Sequence, residues 1–200
     1  GYQVACHAIG DLAIEMIINA YEHAQTIFPR PDCRHRIEHC TFPDAALIDR
    51  IARNHIVVNT IPQCVYSSGD AYIRQYGDRM RYGYAQQAFI KAGVVSAFSS
   101  DSPIAPIDPM QGLYSACNRI TYAGAEAWRE EEVSMLQAIR MYTRNGAYLS
   151  FDENKKGSLE PGKLADFAVL SEPILDTPIE RVRDIRVDMT VVDGEICYER

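Results

Sequence analysis

Three side chains in this 200-residue sequence have the types and placement to share one piece of chemistry: His7, His39 and Asp101. Each stands at or just beyond the carboxyl end of a short apolar run that reads as a β-strand. In parallel α/β folds, ligands and catalytic groups gather at that end, where the loops converge. Two imidazoles and a carboxylate make half of a zinc or transition-metal coordination shell. A metal held in that way lowers the pKa of water to about 7 and polarises a carbonyl, which is what hydrolysis needs. Asp101 lies in Ser99-Ser100-Asp101-Ser102-Pro103 and suits a turn cap equally well. His35 sits near the start of its strand and reads as a hydrogen-bonded structural residue, while His23 and His55 read as solvated. Cys6 and Cys40 adjoin the two candidate histidines, but strand alternation turns neighbours to the opposite face, toward helices. Other chemistries lack their motifs. There is no G-x-S-x-G elbow and no G-x-G-x-x-G loop, and Gly162-Lys163 is followed by Leu164 where a P-loop needs Ser or Thr.

The elements that must hold these residues alternate. Gln3–His7 reads as a strand, and Asp11 as the cap of a helix with Ile14, Ile17, Ile18 and Tyr21 on one face. Arg34–Cys40 is a second strand. Thr41 is the expected N-cap of a helix with Pro43 in its first turn, Asp44 at N3 and an apolar stripe of Leu47, Ile48 and Ile51. Ile56–Ile61 is a third strand and Val94–Ser99 a fourth, with a short helix through Ala85, Phe89 and Ala92 between them. The stretch 63–83 reads as a long polar loop whose tyrosines (Tyr66, Tyr72, Tyr76, Tyr82) serve either packing or substrate contact. Helices follow around Met110–Cys117 and Met135–Tyr142. Strand–helix alternation with apolar strands predicts βαβ units and a parallel sheet. Beyond residue 150 the pattern turns to β: Asp166–Leu170, Val187–Val192 and Glu195–Tyr198, with Asp193-Gly194 as a hairpin turn. The expected division is 1–150 and 151–200.

Composition narrows the partners. With 20 basic and 27 acidic residues the formal charge is −7, which argues against nucleic acid, since phosphate binding needs a basic face. No apolar run approaches the roughly 18 residues of a membrane span, and no signal-peptide pattern opens the sequence. Six cysteines without a C-x-x-C pair, and no N-x-[ST] sequon, lead us to expect reduced thiols and a cytoplasmic location.

Taken in order, His7-Ala8-Ile9-Gly10-Asp11, Arg36-Ile37-Glu38-His39, Ser100-Asp101-Ser102-Pro103, Tyr142-Thr143-Arg144-Asn145-Gly146-Ala147, Gly157–Asp166 and Thr190–Gly194 resemble the amidohydrolase superfamily. The resemblance is to the family-three branch that contains N-substituted formamide deformylase. It implies an α/β fold, the C-terminal half of a (β/α)₈ TIM-type barrel, strands five to eight, followed by part of a small β-sandwich. It further implies that His7, His39 and Asp101 are metal ligands, with zinc the expected ion, and that Asp101 is the catalytic acid–base. The implied reaction is hydrolysis of a non-peptide C–N bond, amide or formamide-like, in a small-molecule substrate through a metal-activated water. The family's first-strand His-x-His pair and its strand-four ligand have no counterpart in these residues. The expectation is therefore a C-terminal fragment of a longer enzyme, which alone holds little or no metal and self-associates through open barrel edges. The rival expectation is a non-catalytic truncated module.

Overall fold

The computed structural model describes all 200 residues. Its first half is a run of strand–helix units: β1 (Ala5–Ile9), α1 (Asp11–Ile27), β2 (Arg36–Thr41), α2 (Ala45–Arg53), β3 (Val57–Thr60), α3 (Gln63–Tyr76), α4 (Gln86–Lys91) and β4 (Ser96–Phe98). The four strands form one parallel sheet in the order β1-β2-β3-β4, so every crossover joins spatial neighbours.

Alternation divides the sheet into two unlike faces. Ala8, Ile37, Cys40 and Val58 point into the helix layer, where they pack with Ile14, Ile18 and Tyr21 of α1, Leu47, Ile48 and Ile51 of α2, and Phe89 of α4. That is the stripe-on-strand arrangement the sequence periodicity predicts, and burying each such side chain contributes about 1.5–3 kcal/mol. The other face carries Ala5, His7, Arg36, Glu38, Val57, Asn59 and Ala97 in register. Near the amino ends of the strands this face is plugged by Leu149, packed on Val57 and Ala97. His7, higher on the same face, is exposed.

The second half comprises α5 (Pro109–Asn118), α6 (Met135–Tyr142), α7 (Arg144–Leu149) and an antiparallel sheet, β5-β6-β7, of β5 (Phe167–Leu170), β6 (Val187–Val192) and β7 (Glu195–Glu199). Asp193 and Gly194 both adopt positive φ, 51° and 80°, the conformation of a type I′ hairpin turn. Val182 and Ile185 join the buried cluster made by α5 and α6, so the two sheets are linked by shared core.

Four local expectations need correction. Residues 63–83 are not a loop: they form α3 and a 3₁₀ turn, Gly77–Tyr82. Val65, Gly69, Tyr72 and Tyr76, at i, i+4, i+7 and i+11, make the stripe. Phe42 packs edge-on against Tyr72 (5.8 Å) and tilted against Tyr76 (4.8 Å), and this tertiary contact makes the segment helical despite its polar sequence. The second helix is capped by Asp44, whose Oδ1 accepts from the Leu47 backbone N–H at 2.8 Å; Thr41 belongs to β2 instead. Gly10, at φ 92°, takes the cap position before α1, and Asp11 is the first helical residue. The first strand runs two residues beyond His7, to Ile9, so His7 stands within the strand and not at its end.

Candidate functional site

The carboxyl ends of β1 and β2 are tied by the Gly10 N–H donating to the Thr41 carbonyl at 2.9 Å. Just before that tie the two strands lose register, between Ala8 and Ile9, and β2 enters left-handed backbone at His39 (φ 68°) and Cys40 (φ 46°). Regular alternation would group His39 with Ile37, which faces the helices. The irregularity brings the His39 ring against His7 instead, with centroids 4.5 Å apart in an edge-on arrangement. Positive φ at non-glycine residues costs on the order of 1–3 kcal/mol each and concentrates at functional sites.

Burial is the main force holding the His39 pKa below the ordinary imidazole value; the charge of His7 adds to it, while Asp101 and Glu38 pull the other way. His39 therefore favours the neutral form, whose ring nitrogen keeps a free lone pair. Asp101 follows β4 in left-handed backbone (φ 51°), is exposed, and accepts the Ile104 N–H on its carbonyl at 2.8 Å. Its carboxylate acts on His39 through space, and on Cys64 of α3 as well. So the structure brings His7 and His39 into contact and leaves Asp101 within electrostatic reach. No three His, Cys, Asp or Glu side chains gather into a metal-holding cluster. The two imidazoles fit a dication as a pair of nitrogen donors, one of them kept neutral; these residues alone do not complete a coordination shell.

The remaining candidates fall into place. His35 is buried; its Nδ1 accepts the Val4 N–H at 3.1 Å and its ring stacks on Tyr21 at 4.8 Å. His23 and His55 are exposed. Cys40 is buried in the helix-side core and Cys6 packs against it. Tyr72 and Tyr76 pack on Phe42, and Tyr66 packs on Tyr114 and Tyr122, so these tyrosines serve packing. Arg79 reaches from the 3₁₀ turn to Asp11 at 2.7 Å, closing the rim beside Phe42. Arg36, Glu38 and Asn59, which carry no ligand motif, share the face of His7. The signal was available: Arg36-Ile37-Glu38 puts two charges two residues apart on the face opposite the buried Ile37.

His35 supports a pH prediction. Burial, then the charge of Arg30, lowers its pKa from 6.5. The unfolded chain thus binds the proton more readily, and stability present above about pH 6.5 is lost as pH falls from there toward the folded value. Protonation at Nδ1 also removes the acceptor for Val4. Urea midpoints should drop between pH 7.5 and 5, and the drop should shrink in His35→Gln.

Known proteins fix the family. The model of the amidohydrolase family matches residues 1–198, and the chain belongs to that family. It is 35% identical to YtcJ of Bacillus subtilis (strain 168), covering 100% of this chain and 38% of that protein. It is 30% identical to N-substituted formamide deformylase of Arthrobacter pascens, with 100% and 37% covered. The chain thus spans less than two fifths of the length of these curated relatives. Among solved structures, an uncharacterized metal-dependent hydrolase from Pyrococcus furiosus superposes with TM-score 0.68 at 28% identity, over 80% of this chain and 31% of that one. An amidohydrolase from Thermotoga maritima gives TM-score 0.71 at 21% identity, over 99% and 44%, a likeness of fold. No helix is long and apolar enough to cross a membrane.

Proposed function

We propose that these residues are the C-terminal part of a metal-dependent hydrolase that cleaves a non-peptide C–N bond, amide or formamide-like, in a small molecule. In this reading β1 to β4 are strands five to eight of a (β/α)₈ barrel, residues 1–150 are the barrel half, and 151–200 are part of a β-sandwich. The observation that carries it is the contact of His7 with His39 on the open face. Family membership supports it, as do the activity named for the Arthrobacter relative and the metal dependence named for the Pyrococcus structure.

His7 and His39 would supply nitrogen donors to the ion, zinc by donor chemistry, and Asp101 an oxygen. When bound, the ion supplies Lewis acidity toward the substrate carbonyl. Asp101, exposed at the strand end, takes a proton from the attacking water and delivers it to the leaving nitrogen. The free sides of β1 and β4 are the edges through which the isolated 200 residues would self-associate. A cytoplasmic location fits the six free cysteines.

The test is zinc titration of the complete protein. His7→Ala and His39→Ala should each weaken zinc at least tenfold and abolish hydrolysis of a formamide. Unchanged zinc affinity in both variants would refute the metal reading.

A further inference from the structure

One rung of side chains crosses the open face at the level of His7. In register on adjacent strands stand His7 of β1, Glu38 of β2, Asn59 of β3 and Ala97 of β4. Register partners in a parallel sheet point to the same face and lie about 5 Å apart. Glu38 is at the centre of the polar part, immediately before His39 in the chain and beside His7 across the sheet. Its carboxylate is fixed from two sides. Oε1 pairs with Arg36 Nε, one rung below, and Oε2 accepts from Asn59 Nδ2 at 2.7 Å. The side chains of Arg36 and Glu38 are both largely shielded, at 27% and 22% exposure. A half-buried carboxylate costs desolvation unless it is paired, and its two partners hold it in one place.

We propose that Glu38 is a positioning residue for the His7–His39 pair: held between Arg36 and Asn59, it supplies a fixed negative charge next to His7 in register that strengthens the pair's hold on a dication. This rests on the reading of His7 and His39 as metal ligands. Glu38 acts through the imidazoles; its own oxygens are engaged by Arg36 and Asn59. Carboxylates standing behind ligand histidines fix ring orientation and raise ligand basicity, and removing them costs about 10–100-fold in metal affinity.

A purely structural role would lower stability and leave metal affinity alone. The experiment is therefore Zn²⁺ titration against a chromophoric chelator, with the Co²⁺ absorption spectrum as second readout, on the complete protein. Glu38→Gln keeps the shape and removes the charge: its oxygen still accepts from Arg36, and its amide donates to Asn59 Oδ1 once that side chain flips. It should fold normally, weaken Zn²⁺ about 10–100-fold and shift the Co²⁺ bands, with Glu38→Asp partly restoring both. Zn²⁺ affinity within twofold of wild type and an unchanged Co²⁺ spectrum in Glu38→Gln would overturn the proposal. His39→Ala separates the two levels. If it loses Zn²⁺ while Glu38→Gln does not, the positioning role fails and the metal reading stands; if neither loses Zn²⁺, both fail. Should Glu38→Gln not fold, Asn59→Leu frees one carboxylate oxygen and keeps the charge. It should weaken Zn²⁺ several-fold, and affinity within twofold would likewise overturn the proposal.

Discussion

Arg119→Met is expected to destabilise the protein by about 4 kcal/mol. Arg119 is fully buried and takes left-handed backbone (φ 46°) just after α5. Its guanidinium bonds no carboxylate. Nε donates to the Ala127 carbonyl at 2.6 Å, one terminal nitrogen to Tyr84 at 3.1 Å and the other to Gly83 at 2.9 Å. Burial lowers its pKa to about 10, opposed chiefly by Glu131 and Glu132, so it stays charged at neutral pH. The side chain therefore joins three backbone segments: the end of α5, the bend before α4, and the strand-like turn at Ala127. Methionine fills much of the volume but leaves the buried Ala127 and Gly83 carbonyls without this donor, at about 1–3 kcal/mol each, while the Tyr84 carbonyl keeps the Gln86 N–H. Relief from burying a cation offsets part of that sum. Lysine should not rescue, because one ammonium cannot reach three carbonyls arranged for a planar fork. Urea unfolding measures both variants. A loss under about 1 kcal/mol in Arg119→Met, or a lysine variant as stable as wild type, would contradict this account.

The helix-side core was readable from residue spacing alone. Ile14, Ile18 and Tyr21 recur at helical period, Ile37 and Val58 stand in apolar strands, and all are buried together. Asp193-Gly194 announced its hairpin for a local reason, since few other pairs accept two positive φ values in succession. α3 was hidden because its stripe uses Gly69 and two tyrosines where a periodicity search looks for aliphatic residues. Gly69 is required by a distant partner: a Cβ there would lie 2.7 Å from Thr121 Cγ2. No local pattern records a contact 52 positions away.

The site divides along the same line. That His7 and His39 come close was visible in their places on two neighbouring parallel strands. How His39 comes to touch His7 was not visible. Strict alternation sends it to the face of Ile37, and only the left-handed step at His39 and Cys40 reverses that. Neither residue is glycine, so composition gave no warning of positive φ. The Arg36–Glu38–Asn59 arrangement was half legible: the strand pattern placed Arg36 and Glu38 on one face, while the contact with Asn59 depends on the register of β2 with β3.

Arg34→Ala should cost about 3 kcal/mol, and the loss should reach the second half of the chain. Arg34 lies just before β2 and is 9% exposed. It pairs with Asp32 at 2.9 Å and with Glu153 at 2.8 Å, and donates to the Tyr148 carbonyl at 2.7 Å. Its guanidinium carbon lies 3.7 Å from the centre of the Tyr148 ring and 4.2 Å from that of Phe151. Glu153 is the chief influence raising its pKa, so the charge is never lost in the working range. Gln3 reinforces the same junction, its Nε2 donating to the carbonyls of Arg34 at 2.6 Å and Leu149 at 2.9 Å. Breaking a buried pair by removing one partner costs about 3–5 kcal/mol; exposure of Asp32 and Glu153 places this one at the low end. Arg34→Lys keeps the charge and gives up the fork and the stacking, so it should recover less than half. In a double-mutant cycle with Glu153→Gln the coupling should exceed about 1 kcal/mol, since the two side chains share a bidentate contact. Additive effects would mean that Arg34 stabilises through Asp32, Tyr148 and Phe151 and not through Glu153. Hydrogen exchange locates the loss: amides of residues 148–153 should lose protection in Arg34→Ala, while those of α2, on the far side of the sheet, keep theirs.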